Sequence, residues 1–246
     1  MTAEIAILNK EAAVLAADSA ITLDLGDNKK IFVSANKIFA LSKYYPVAIM
    51  IYGNAQFMDI PWELIIKLYR AKIKDRNFDS LFDFAEDFLD FLLDIEIDKK
   101  VEKKHFKEKL EAYLETILTD FKNSVTIKLE EGKKLTEEDI LSILEDVINQ
   151  DYERWEKQSD SYRTKNINQN VQEIILRDYG DLIEKVINNT FEKLPLTDDS
   201  KEKLRFLSYA IFLKKPPKGY KYILSSGIVI CGYGRKERYF SKNLCF

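Results

Sequence analysis

Thr2 is the residue with the most chemistry to offer. It follows Met1, and threonine is small enough for methionine aminopeptidase to remove the initiator. Removal leaves a threonine whose own α-amino group is free. A hydroxyl is a weak nucleophile until a base takes its proton. The α-amine, with a reference pKa of about 8, can be that base near physiological pH. Few other side chains compete. The one histidine, His105, lies among Lys103, Lys104 and Lys107, and a single imidazole builds neither a two-histidine zinc site nor a convincing hydrolytic triad. It reads as an exposed helix residue. Cys231 and Cys245 are too few for a four-cysteine metal cluster or a disulfide framework. Cys231 ends an apolar run and reads as a small buried hydrophobe. Ser225 and Ser226 have no histidine base nearby and read as turn chemistry.

Motifs for bound groups are missing. There is no phosphate-binding G-x-x-x-x-G-K-[ST] string, and Gly232-Tyr233-Gly234-Arg235-Lys236-Glu237 lacks the third glycine of a dinucleotide fingerprint. H-E-x-x-H, G-x-S-x-G and calcium-loop patterns are also missing. No cofactor or metal is expected. Carboxylate pairs such as Asp83 and Asp90 carry no glycosidase signal in so acidic a chain.

The 246 residues hold 38 Lys and Arg against 41 Asp and Glu, a formal net charge of −3. This argues against a general nucleic-acid binder, which would be basic. With 8 Gly, 5 Pro and an apolar share of 46%, the chain suits a folded domain rather than a linker or a disordered tail. No run reaches the roughly 18 apolar residues of a membrane span. Two cysteines and the lack of a signal peptide suit a cytoplasmic protein.

The elements fall in three blocks. From Met1 to about Ile60 the chain reads as strands: Ile5 to Leu8, a turn at Asn9-Lys10, Ala12 to Ala17, then Lys37 to Ser42 and Val47 to Tyr52. The polar stretch Leu23 to Lys30 reads as a loop. From Trp62 to about Leu213 the period is helical. Ile65, Leu68, Tyr69 and Ile73 share a face, as do Phe78, Leu81, Ala85, Phe88 and Leu92. Thr136 caps a helix with Asp139 at the third position, Leu135 can staple to Ile140, and Thr197 opens another helix. The charged stretches Lys99 to Lys109 and Asp151 to Asn170 read as solvated faces and connections. From Lys214 strands return: Tyr220 to Leu224, Gly227 to Cys231, a turn at Gly232 to Gly234, and one short strand within Arg235 to Phe246. Strands, helices, strands in that order imply an α+β domain with a helical layer.

On these residues the chain resembles the proteasome family of N-terminal nucleophile (Ntn) hydrolases, and bacterial proteasome-like proteins most of all. The opening Thr2-Ala3-Glu4-Ile5-Ala6-Ile7 and the run Val14-Leu15-Ala16-Ala17-Asp18-Ser19 match the family's first strand pair, with the same spacing from threonine to aspartate. Asn36-Lys37-Ile38-Phe39-Ala40-Leu41 looks like its lysine-bearing strand. Ala48-Ile49-Met50-Ile51-Tyr52-Gly53-Asn54-Ala55 looks like the strand whose glycine supplies an oxyanion amide. Ile228-Val229-Ile230-Cys231-Gly232-Tyr233 looks like the strand that follows the family's first two helices. The resemblance implies a threonine peptidase or amidohydrolase acting on peptide or protein substrates within a homo-oligomer. Thr2 Oγ is then the nucleophile and the Thr2 amine its base. Lys37 supplies positive charge, which lowers the pKa of nearby groups. Asp18 holds Lys37, and the Gly53 amide meets the oxyanion. Each residue also has a plain alternative: Asp18 closing a strand, Lys37 on the surface, Gly53 in a turn.

The implied fold is an αββα sandwich, as one domain over 1–246. Residues 1–61 and 219–246 form the sheet core, and 62–218 form a helical layer with an insertion at about 95–200. The family's second half has no counterpart after Gly234, so the sandwich is expected to be incomplete at the C-terminus, leaving sheet edges and a face uncovered. A shortened gene product, a partner chain that completes the sheets, and an inactive homologue each account for this. The alternative function is therefore a catalytically inactive scaffold or assembly protein that binds partners through the helical insertion. Neither reading involves nucleic acid or membrane.

Overall fold

The computed structural model describes residues 4–9, 12–19, 21–25, 28–32, 36–161, 171–220, 226–237 and 241–245. Over these residues the chain is mixed α+β, with helices and small antiparallel sheets. It opens with strands β1 (Glu4–Leu8), β2 (Ala13–Ala17), β3 (Ile21–Leu25), β4 (Asn28–Phe32), β5 (Ile38–Ala40) and β6 (Val47–Gly53). The short pair β7 (Gln56–Phe57) and β8 (Ile60–Pro61) leads into helices α1 (Trp62–Ile73) and α2 (Leu81–Leu93). Then come α3 (Lys99–Glu130), α4 (Glu137–Glu156), α5 (Val171–Thr190) and α6 (Asp198–Leu213), and finally β9 (Ser226–Gly232) and β10 (Ser241–Cys245). Two compact units result: Met1–Val101 with Leu224–Phe246, and Glu102–Ile223.

In the first unit β1 and β2 form an antiparallel hairpin with Ile7 opposite Val14. Asn9 closes its turn: Oδ1 accepts from the Ala12 N–H at 2.7 Å, and the Asn9 N–H donates to the Ala12 carbonyl at 2.9 Å. The stretch Leu23 to Lys30, expected as a loop, is instead part of a second hairpin, β3 with β4, in which Ile21 lies opposite Phe32. Apolar and polar residues alternate along Ile21-Thr22-Leu23-Asp24-Leu25, the period of a strand, and taken singly the polar members suggest a loop.

The main sheet has the order β10-β9-β6-β5, all antiparallel. Side chains alternate across it. Leu41, Val47, Ile49, Ile51, Ile228 and Ile230 turn to one face and pack with buried residues of α1 and α2. Met50, Val229 and Cys231 are buried on the other face. There Leu15 of β2 shares a cavity of about 390 Å³ with Ile38, Ala40, Ala48 and Cys231. The β1–β2 hairpin therefore lies over the sheet face opposite the helices. Ile5, Ile7 and Val14, on the outer face of that hairpin, are 58, 63 and 56% exposed.

One helix face and one helix start differ from expectation. In α1 the buried set is Trp62, Ile65, Ile66, Tyr69 and Ile73, and Leu68 is exposed. Ile66 and Trp62 draw the buried arc away from Leu68. The helix expected from Phe78 begins at Leu81, because Ser80 and Asp83 form a capping box: Ser80 Oγ accepts from the Asp83 N–H at 3.2 Å, and Asp83 Oδ2 accepts from the Ser80 N–H at 2.9 Å. The turn after β9 locks onto this end. Glu237 Oε2 accepts from the Leu81 and Gly234 amides, each at 2.7 Å, and places negative charge at the positive end of α2. Arg235 and Lys236 bond Asp79 and hold its carboxyl below the usual carboxylate range, the Lys236 bond contributing most.

The second unit buries its own core. Phe106, Leu110, Tyr113, Leu114, Ile117 and Phe121 form a stripe at helical spacing along α3. It packs with Ile143, Leu144 and Ile148 of α4, Ile183 and Val186 of α5, and Leu204 and Leu207 of α6. Thr136 caps α4 with Asp139 as expected, and Leu135 and Ile140 both pack against the core. Thr197 caps α6, accepting from the Ser200 N–H at 3.3 Å. Tyr220 lies in a turn, its N–H bonded to the Pro217 carbonyl at 3.0 Å. The rest of the expected strand to Leu224 lies outside the described residues.

The turn between β7 and β8 is strained. Met58 and Asp59 have φ of 49° and 63°, left-handed geometry that a two-residue hairpin turn demands and that asparagine or glycine meets at lower cost. Met58→Asn is expected to raise stability by about 0.5–1 kcal/mol, read from the urea midpoint. A variant no more stable than the parent would show that the Met58 side chain offsets the strain by packing.

Candidate functional site

Three of the four candidate residues stand at strand ends in the first unit. Asp18 directly follows β2. Lys37 directly precedes β5. Gly53 is the last residue of β6. Thr2 lies outside the described residues.

Lys37 Nζ donates to Asp18 Oδ1 at 2.5 Å. The side chains are 11% and 29% exposed, respectively. That places the pair between a surface ion pair, worth about 0–1 kcal/mol, and a buried one, whose rupture costs about 3–5 kcal/mol. It is sequestered enough to hold its geometry, and the lysine charge is delivered at a fixed point.

Lys37 is also tied to the strand that carries Gly53. The Ile51 N–H donates to the Lys37 carbonyl at 2.8 Å, extending the ladder in which Ile38 faces Met50. N–H groups alternate between strand edges. The Ile51 and Gly53 amides therefore point to the same edge, and the Gly53 amide lies one step past the bond to Lys37. Gly53 has φ of 81°, where a side chain would be strained. The chain breaks from the sheet at this residue, two positions past the Ile51 amide that bonds Lys37. Asp18, Lys37 and Gly53 are thus linked by one ion pair and one strand register. The arrangement brings an ion-paired lysine and a glycine peptide N–H to neighbouring strands of one sheet.

Ser226, read from sequence as turn chemistry, lies directly opposite Gly53 in the β6–β9 register. Its Oγ accepts from the Trp62 indole N–H at 3.2 Å and donates to the Asn54 carbonyl at 3.0 Å. No sequence signal joins residues 54, 62 and 226, because only the long-range β6–β9 pairing brings them together.

The remaining residues with chemical potential have structural partners. His105 lies on α3, half-buried, with Nδ1 3.7 Å from Glu108 Oε2. Cys231 is buried in the sheet, and desolvation pushes its thiol up. In the second unit the Tyr113 hydroxyl donates to Asp151 Oδ2 at 2.5 Å. Burial raises both groups above their ordinary values. The pair braces α3 against α4.

Among the described residues no group of three or more His, Cys, Asp and Glu could hold a metal ion. No described helix is long and apolar enough to cross a membrane. Comparison with protein-family models, curated proteins and solved structures finds no match to this chain.

Proposed function

We propose that the chain is a threonine-type amidohydrolase of proteasome-like, Ntn-hydrolase character, acting on peptide or protein substrates in a homo-oligomer. The observation that carries the reading is the Lys37–Asp18 pair at 2.5 Å, with the Lys37 carbonyl bonded to the strand that ends at Gly53. Helices α1 and α2, the main sheet and the β1–β2 hairpin, stacked in that order within the first unit, support three layers of an αββα sandwich.

In this reading Thr2 Oγ attacks the substrate carbonyl carbon while the free Thr2 amine takes the hydroxyl proton. The Lys37 charge and the Gly53 N–H stabilise the negative oxygen of the tetrahedral intermediate. The C–N bond then breaks, the proton passes to the leaving amine, and an ester on Thr2 remains. Water, deprotonated by the same amine, hydrolyses the ester. Asp18 orients Lys37 throughout.

The test is intact mass before and after treatment with a β-lactone. A hydroxyl nucleophile opens the lactone ring, forms an ester and adds the whole mass of the reagent. The expected result is a chain lacking Met1, one lactone bound at Thr2, and no adduct in Thr2→Ala. Retained Met1, or an unmodified Thr2, overturns the reading. The scaffold alternative predicts that result together with a stable oligomer, and it is favoured by one observation: the second unit has a core of its own.

A further inference from the structure

We infer that Ser226 and Trp62 form a clamp that positions the Gly53 amide, making both of them positioning residues for the proposed reaction. The inference rests on the hydrolase reading and adds the device that sets its oxyanion donor.

Glycine is the least restrained residue in the chain. At φ of 81° Gly53 leaves the sheet, and without a side chain the residue does little to restrict the direction of the chain beyond it. An oxyanion donor that swings is a poor one, because its value depends on being aimed before charge develops. The β6–β9 register holds the chain up to Gly53, and four hydrogen bonds hold the turn beyond it. Ser226 Oγ donates to the Asn54 carbonyl at 3.0 Å and accepts from the Trp62 indole N–H at 3.2 Å. The Gln56 N–H donates to Asn54 Oδ1 at 3.1 Å, and the Trp62 N–H donates to the Ala55 carbonyl at 3.2 Å. Residues 54 to 56 are thereby tied to the first residue of α1 and the first residue of β9.

The anchor itself is rigid. Trp62 is 4% exposed, packed in the core of the first unit and against the Phe57 ring at 5.4 Å. Ser226 is held by its register with Gly53, and Tyr52 lies flat over Gly227, where any Cβ would meet its ring at 1.9 Å. Ser226 thus relays the position of a core tryptophan to the Asn54–Ala55 peptide, in the turn that leaves Gly53. A misplacement of about 1 Å at a reacting group can cost about 100-fold in rate, so loss of the relay should be seen in turnover rather than in substrate affinity.

The experiment uses the full chain and the variants Ser226→Ala, Ser226→Thr and Trp62→Phe. Two readouts are taken: amide hydrogen exchange over residues 50–58, and the rate of Thr2 acylation by a β-lactone, separated into kinact and KI. Ser226→Ala and Trp62→Phe are expected to speed exchange at 53–56 and to lower kinact about 10- to 100-fold with KI unchanged. Ser226→Thr keeps the hydroxyl and is expected to restore both. Unchanged exchange at 53–56 in Ser226→Ala overturns the clamp whatever the activity. A reactive wild type with Ser226→Ala acylated at the same rate overturns the positioning role alone. A wild type unmodified at Thr2 overturns the hydrolase reading, and with it the catalytic use of the clamp.

Discussion

Lys37→Ala is expected to slow acylation of Thr2 by about 10³-fold, a larger loss than any other substitution outside Thr2 itself. Removing one preorganised donor from an oxyanion site costs about 10²–10³-fold, and Lys37 in the proposed mechanism brings the full positive charge to the developing oxyanion. The stability cost should be much smaller. With side-chain exposures of 11% and 29%, the pair lies between the surface and buried limits, and leaving Asp18 without its lysine should cost about 1–3 kcal/mol. A folded, nearly inactive variant is therefore the expected product.

The same geometry orders the other substitutions. Asp18→Asn keeps the shape but removes the charge that fixes Lys37 Nζ, and a loss of about 10²-fold is expected. Lys37→Arg should not rescue activity, because a planar guanidinium cannot take the place of a compact ammonium in a slot fitted at 2.5 Å. If Asp18 acts only through Lys37, combining Asp18→Asn with Lys37→Ala adds no further loss. Independent, multiplying losses would sink this account of the pair. So would Lys37→Ala acylating at the parent rate.

These partners were legible in part before any coordinates, and the reason lies in what each contact depends on. Asp18 and Lys37 sit beside strands whose apolar runs are strong local signals, but only the resemblance to the proteasome family implies that they pair. The capping boxes of Ser80 and Thr136 and the turn at Asn9 are also local. A side chain and an amide three residues apart settle them. Register is different. Ile49 opposite Ile230 and Gly53 opposite Ser226 join residues more than 170 positions apart, and nothing in either segment names the other. Ser226 therefore reads as a turn residue, although it bonds the Asn54 carbonyl in the turn that leaves Gly53. The β3–β4 hairpin was hidden because Asp24 and Asn28 look like loop chemistry one residue at a time, whereas alternation is a property of the whole run.

Helix faces were legible only to within one neighbouring position, and α2 gives the sharpest test of what that error is worth. The run Phe78 to Leu93 has five phenylalanines, too many for apolar spacing to say which ones face the sheet. Phe84 falls outside the face read from sequence, yet it is fully buried between Phe78, at 4.5 Å centroid to centroid, and Tyr45, at 6.0 Å. Phe82, on the same helix, is 42% exposed. Phe84→Ala should cost about 3–5 kcal/mol, because it removes a buried ring, its aromatic partners and the packing of a close-set core. Phe82→Ala should cost less than about 1 kcal/mol. Against a typical domain stability of about 5–15 kcal/mol, the first change brings the unit close to unfolding and the second leaves it intact. Urea titrations of both variants read the difference directly. Because Ile49, Ile230, Tyr69 and Phe84 belong to one cluster, amide protection in β6 and β9 should fall with Phe84→Ala. A loss confined to α2 would mean that the helix and the sheet do not share a core, and that the sheet edge bearing Lys37 and Gly53 is stabilised by other contacts.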